Sequence, residues 1–308
     1  MMMPMYQPIQ HSRSEYVPVR TQTYHVRLWG TPQPGQPPLV MLHGWMDVSA
    51  SWQFVVDALA QGRHVIAPDW RGFGLTQGPR VDHYLLADYL ADLDVLLDHY
   101  APQGPVDLVG HSMGGNIAMS FAGVRPARIR RLVNLEGFGM PATRPTQAAG
   151  RYAKWIDEVK ALHRGDMALK AYADASGVAR RLMKTNPRLP HDKAEWLAQH
   201  WAQPVQQPDG STVWQILGDP AHKARSAQLD RLDETLELYR CITAPTLAVE
   251  ASDDSLAQWW KGAYTLEAYH ERLKAVAQCE VAVVQDAAHM LHHDQPQQLA
   301  RLIEDFLA

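Results

Sequence analysis

Gly110-His111-Ser112-Met113-Gly114-Gly115 follows directly on the apolar run Val106-Asp107-Leu108-Val109, and a helical pattern, Asn116 to Gly123, follows it. The motif is Gly-x-Ser-x-Gly between a predicted strand and a predicted helix. In that setting the chain turns so sharply that Ser112 stands at a strained corner with its hydroxyl exposed. A side chain at Gly110 or Gly114 would crowd the neighbouring backbone. The Met113 N–H then points to where an oxyanion would form. The competing reading is a glycine-rich turn whose serine only caps a helix; the strand before and the helix after favour a nucleophile. A serine hydroxyl is a weak nucleophile at its own pKa, so it also needs a base and a group to orient that base.

The elements that would position such groups alternate. Short apolar runs, Pro38 to Leu42, His64 to Pro68, Val106 to Val109 and Leu132 to Leu135, suit strands buried on both faces of a parallel sheet. Tyr16 to Val19 and Thr23 to Trp29 read as two earlier strands, after about ten loose residues. Helical spacing lies between the runs: Trp52, Val55, Val56 and Leu59 in one segment, and Leu86, Leu90, Leu93, Leu96 and Leu97 in another. From Pro141 to Arg240 the rhythm stops. That stretch reads as helical, broken at Asn186-Pro187, Pro204, Pro208-Asp209-Gly210 and Gly218-Asp219-Pro220. It resumes with the strand Ala244 to Val249, a long helix through Arg272 to Val276, the strand Val281 to Val284 and a last helix opening near Asp294 and Pro296. The division is a core of residues 1–140 and 241–308 of the α/β class and a helical cap, 141–240.

With 308 residues the chain can bury a large core without disulfide or metal. A net charge of −4 gives no reason to expect nucleic acid. Cys241 and Cys279 make no framework and read as reduced thiols. Met1 to Tyr6 lacks the basic and apolar regions of a signal peptide, and no apolar run reaches transmembrane length. A cytoplasmic protein without a membrane partner is expected. No assembly signature is readable.

Leu42-His43-Gly44-Trp45, Asp69-Trp70-Arg71-Gly72-Phe73-Gly74, the Ser112 motif, Ala251-Ser252-Asp253-Asp254 and His289 occur in an order and spacing that resembles a capped serine hydrolase of the α/β-hydrolase superfamily. Leu42 to Trp52, Leu135 to Gly139 and Trp214 to Pro220 resemble its serine hydrolase-like branch. The resemblance implies the α/β-hydrolase fold: a mostly parallel eight-stranded sheet with helices on both faces and an inserted helical cap. Among 15 histidines it implies His289, on the loop after the last strand, as the base. His43 would pack, and the elbow would turn His111 away. His292 and His293 could suggest a metal, but no carboxylate or cysteine with ligand spacing accompanies them in sequence. No metal and no cofactor is expected.

Two carboxylates compete as the third triad member. Asp254 follows the strand ending at Val249, where most of the family carries the acid, and chain order favours it. Glu136, after the strand ending at Leu135, is the alternative used by some capped relatives; otherwise it is a solvated carboxylate at the cap entrance. The second oxyanion donor falls on the His43-Gly44-Trp45 loop, giving the backbone amides of Trp45 and Met113. The Trp45 ring and Trp214 of the cap would line the substrate pocket, or simply pack. Asp69 and Arg71 would tie neighbouring turns.

The implied reaction is acyl transfer from an ester, thioester, lactone or amide to water through an acyl-enzyme on Ser112. The substrate is then a small molecule with an apolar portion. Ser112 excludes relatives that use an aspartate at the elbow. Carbon–carbon bond hydrolases, a cofactor-independent oxygenase and a catalytically silent binding module stay open. Residues 141–240 carry 15 Lys and Arg against 12 Asp and Glu, too small a bias to argue for an anionic substrate.

Overall fold

A computed structural model describes residues 5–308. Eight strands form one sheet: β1 (Arg13–Val19), β2 (Gln22–Trp29), β3 (Leu39–Leu42), β4 (Val65–Pro68), β5 (Val106–His111), β6 (Ile129–Leu135), and, beyond the insert described below, Thr246–Ala251 and Cys279–Val284. Their order is β1-β2-β4-β3-β5-β6, then these two in turn. The β1–β2 and β2–β4 pairs are antiparallel; every later pair is parallel.

Alternate residues of each strand enter two different helical layers, as the two-residue repeat of a strand requires. Val40, Leu42, Leu108 and Leu132 pack with α2 (Leu86–Tyr100) and α3 (Met113–Val124). Leu39, Met41, Val109 and Val133 pack on the other face with Trp52, with α1 (Gln53–Val56) and with the C-terminal helix. Both faces are covered, which is why these strands read as unbroken apolar runs.

Between β6 and the seventh strand of the sheet lies the insert: α4 (Ala148–Arg164), β7 (Ala171–Tyr172), α5 (Ala175–Thr185), α6 (His191–Trp201), β8 (Ala202–Gln206), β9 (Thr212–Ile216) and α7 (Leu232–Arg240). The core resumes with β10 (Thr246–Ala251), α8 (Ser255–Trp260), α9 (Leu266–Leu273), β11 (Cys279–Val284), α10 (Leu291–Asp294) and α11 (Pro296–Leu307).

The insert is not wholly helical: β7, β9 and β8 form a three-stranded antiparallel sheet. Pro208-Asp209-Gly210, read above only as a break, is the turn of the β8–β9 hairpin; Gly210 supplies φ +82° and its N–H donates to Gln207 O at 3.0 Å. At the far end of the insert α7 packs on the core, where a Cβ on Gly123 of α3 would meet Leu238 O at 2.2 Å. The helix expected through Arg272 is two helices, because Lys261 and Gly262 take left-handed φ of 47° and 87°.

The expectation of a loose start of about ten residues falls partly outside the described chain, and the described part is docked instead. Tyr6 hydrogen-bonds Asp57, which also accepts the N–H of Ile9 at 3.0 Å and of Gln10 at 2.8 Å.

Candidate active site

The C-terminal ends of β5, β6 and β10 lie side by side, and each is stitched to the next. Ser112 N–H donates to Leu135 O at 2.8 Å, Glu136 N–H to Val249 O at 3.0 Å, and Ser252 N–H to Val284 O at 2.9 Å. The sheet therefore delivers Ser112, Glu136 and the β11–α10 loop, with His289, to one edge. Each of these loops, and the one after β3, contains a non-glycine residue at positive φ: Met46 (54°), Ser112 (53°), Glu136 (53°) and Asp286 (52°).

Ser112 has φ 53° and ψ −115° and stands immediately before α3. A Cβ on Gly110 would meet Gly114 O at 2.3 Å, and one on Gly114 would meet Leu42 O at the same distance. The elbow and the β3 loop are thus in backbone contact, as the glycines of the motif implied. Met113 opens α3, so its N–H has no acceptor within the helix. Gly44 approaches Ser112 closely enough that a Cβ there would lie 3.2 Å from Ser112 Cβ. That puts Trp45, the next residue, beside the nucleophile candidate. Its ring is half exposed, and its Nε1–H donates to His222 O of the insert at 3.2 Å.

His289 meets Glu136, not Asp254. His289 Nδ1 lies 3.0 Å from Glu136 Oε2. Glu136 is buried and its carboxylate accepts two more bonds, from Ala251 N–H at 2.8 Å and Ser255 O–H at 2.6 Å. Asp254, the acid favoured by position, caps α8 through Ala257 N–H at 2.8 Å. The difference is local: β10 ends at Ala251 and α8 begins at Ser255, so Asp254 is the capping residue and Ser255 turns back to Glu136. Aspartate just ahead of a helical run is an N-cap signal readable in sequence.

The His289 loop is held by residues that the sequence had not marked for it. Ala288 N–H donates to Asp294 Oδ2 at 2.9 Å. The Trp259 ring stands edge-on to the imidazole, centroids 4.4 Å apart. His111, expected to face away, is buried against the same loop and donates Nε2–H to His289 O at 2.7 Å. Burial, then His292 and His289 nearby, push its pKa well down, so it is a neutral ring with the proton on Nε2. His43 is packed as expected: its Nδ1–H donates to Gly44 O at 2.8 Å and its Nε2 accepts Trp70 N–H at 2.9 Å.

Asp47, remote in sequence, joins His292 and His293. Donor atoms of these three buried residues lie within 4.8 Å of one another, a grouping that could hold a cation. Thus the absence of a carboxylate beside the two histidines, inferred from spacing, does not hold in space. Asp47 Oδ1 is already occupied by Val48 N–H at 2.9 Å and by the Ser51 hydroxyl. Its Oδ2 faces His292 Nε2 at 3.6 Å. Burial opposes ionisation of Asp47, but His292, His293 and His43 together outweigh it and the carboxyl is held at about 2. The group ties the β3 loop to the β11–α10 segment.

Trp214 lies in β9 and, like Trp201 and Tyr172, packs against a hydrophobic cluster that the insert shares with Val48, Ala50 and Phe54 of the core. Asp69 and Arg71 are structural, as expected. Asp69 accepts Ser49 N–H at 2.7 Å, and Arg71 holds Asp92 through two bonds of 2.6 and 2.8 Å.

A family model described as the alpha/beta hydrolase fold matches residues 37–296. The chain belongs to the α/β-hydrolase family. It is 25% identical over 320 residues to a "Serine hydrolase-like protein" of Danio rerio, covering 99% of this chain and 94% of that one. A "2-hydroxy-6-oxo-2,4-heptadienoate hydrolase" of Pseudomonas putida is 41% identical over 106 residues, 33% of this chain and 38% of that protein. The matched part is thus well under half of that relative. Among solved structures, a "Thioesterase Domain From Curacin Biosynthetic Pathway" superposes with a TM-score of 0.79 at 25% identity, covering 96% of this chain and 99% of that one. As an α/β-hydrolase the chain has a fold suited to small-molecule substrates, and among the described residues no helix is long and apolar enough to cross a membrane.

Proposed function

We propose that this α/β-hydrolase is a serine hydrolase that cleaves a carboxylic ester or thioester through an acyl-enzyme on Ser112. One observation carries the reading: His289 Nδ1 is paired at 3.0 Å with a buried carboxylate, Glu136, at the sheet edge that also carries the strained Ser112. A donated Nδ1–H leaves Nε2 as the basic nitrogen of the ring. His289 takes the Ser112 proton as Oγ attacks the acyl carbon. The tetrahedral oxyanion is stabilised by the Met113 and Trp45 backbone amides. His289 then protonates the leaving group, and water activated by the same imidazole releases the acid. Glu136 holds the imidazole in the productive tautomer and stabilises its cation; the amide of Ala251 and hydroxyl of Ser255 hold that carboxylate in place. Half-exposed Trp45, Trp259 and Met140 supply apolar surface for the acyl portion. Residues 141–240 act as the cap, less the α7 end.

Labelling with a fluorophosphonate, followed by peptide mapping, tests the nucleophile. Modification of Ser112 is expected; label elsewhere, or none on folded protein, removes the proposal. A second reading, hydrolysis of a carbon–carbon bond, is favoured by the local identity with the Pseudomonas putida protein. Turnover of that protein's named substrate at a higher kcat/KM than any ester or thioester would select it.

A further inference from the structure

The insert carries a cleft of about 700 Å³ beside the β3 loop, lined in part by Trp45, Met46, Tyr172, Trp201 and Ile216. The rest of its lining includes five cations: Lys170, Arg180, Arg181, Lys184 and Lys223. Among the described residues the only carboxylate in ion-pair range of any of them is Asp174, 3.8 Å from Arg180. That carboxylate is also engaged at the start of α5, where it accepts Gly177 N–H at 2.6 Å.

The arrangement of α5 is opposite to what helix stability favours. Its residues Ala175–Thr185 contain three cations and no acid. Arg180 and Lys184 are four residues apart and Arg181 and Lys184 three apart, so like charges share one face at a cost of a few tenths of a kcal/mol per pair. A solvated cationic helix is ordinarily relieved by interspersed acids, as α4 is, with Asp157 and Glu158 among Arg151, Lys154, Lys160 and Arg164. Here the cations line a concave surface together with apolar side chains that include Trp45. Because Gly44 packs on Ser112, the cleft starts one residue from the loop that touches the candidate nucleophile.

We infer that the substrate carries a polyanionic group, a phosphate or more than one carboxylate, that is bound by these five cations while its acyl bond lies at Ser112. This rests on the hydrolase reading and names its substrate class. Five cations against one carboxylate exceed what a single carboxylate would neutralise, and guanidinium and ammonium donors match phosphate oxygens. The near-balance of charge over residues 141–240 hid this, because of the twelve acids there only Asp174 comes within ion-pair range of a cleft cation.

Three thioesters with six-carbon acyl groups provide the test: hexanoyl-coenzyme A, which carries phosphates; the phosphate-free N-acetylcysteamine thioester of hexanoate; and the N-acetylcysteamine thioester of adipate, which has one free carboxylate. The wild-type protein is expected to favour the coenzyme A thioester over the neutral one by at least tenfold in kcat/KM, more at low ionic strength. A larger advantage for the adipoyl compound would show that a single carboxylate on the acyl side suffices and would overturn the polyanion. Arg181→Gln/Lys184→Gln is expected to lower the anionic-to-neutral ratio at least tenfold, and Arg181→Lys/Lys184→Arg to retain it. Equal turnover of all three by the wild type, or a ratio that the double Gln variant leaves unchanged, would overturn the inference. If the wild type turns over none of them, the fluorophosphonate label on Ser112 decides the hydrolase reading and calorimetric binding of pyrophosphate decides the cleft alone: weakening of at least tenfold in the double Gln variant supports it, and equal binding or none refutes it.

Discussion

The sheet edge and the insert treat charge in opposite ways. At the sheet edge Glu136 takes three hydrogen bonds, Asp69 is held by several donors, and His43 and His111 are buried and neutral. Along α5 three exposed cations stand against a single carboxylate, Asp174, 3.8 Å from Arg180. Groups fixed as tightly as those at the sheet edge have little freedom to adapt to a ligand, whereas exposed cations without matching carboxylates can turn to one. The contrast teaches a division of labour: on the proposed reading the strand ends determine the reaction, and the insert determines which molecule undergoes it.

The first way to break that division is at the edge. Ser112→Ala should lower kcat by about 10⁴-fold or more, leaving residual catalysis by the oxyanion donors, as steady-state assays of a thioester will show. Glu136→Gln should cost about 10³- to 10⁴-fold in kcat by losing the tautomer control of His289, while Asp254→Asn stays within a factor of about two to three because asparagine caps a helix as well as aspartate does. The reverse result would return the acid role to Asp254. Smaller again is the effect expected in the insert, where the Arg181→Gln/Lys184→Gln loss should be about tenfold and confined to anionic substrates, shrinking as salt is raised.

Acid sensitivity sharpens the comparison from the stability side. His222, stacked between Phe73 and Tyr84, has its pKa lowered to about 3 by burial. The unfolded chain takes up a proton there near the usual pKa of about 6.5, so the folded state is favoured above that pH and loses the advantage as pH falls towards 3. Urea midpoints should therefore drop between pH 7 and 5, and His222→Gln should reduce that slope by up to one proton, about 1.4 kcal/mol per pH unit. A slope unchanged in the variant would mean that other buried histidines carry it. The smallest effect is expected for Asp254→Ala, about 1 kcal/mol of stability from the lost cap with little change in turnover.

Much of this was legible in the chain itself. The apolar runs announced the parallel strands because both faces of the sheet are covered, and the Gly-x-Ser-x-Gly turn announced Ser112 because only glycine tolerates the 2.3 Å approaches at Gly110 and Gly114. What escaped sequence reasoning depends on contacts across the fold. Glu136 wins His289 through Ser255 and Ala251, 119 and 115 residues away. Asp47 finds His292 only because two loops converge. The cleft cations lie on α5 and two flanking loops, so their sum over the insert dilutes what their placement concentrates. The β8–β9 hairpin was readable from Pro208-Asp209-Gly210 but was masked by the helical spacing around it.

The left-handed residues in the loops after β3, β5, β6 and β11 have a consequence for how this protein would respond to selection. Each holds a side chain where glycine would relax the backbone, at a cost of about 1–3 kcal/mol for a strained position. Screening for thermal tolerance alone would therefore favour glycine at Met46, Ser112 and Asp286, and one of those exchanges would delete the proposed nucleophile; at Glu136 the hydrogen bonds lost offset the strain relieved. Robustness and turnover pull in opposite directions at Ser112, and a library scored only for heat resistance would drift toward a sturdier, inert molecule.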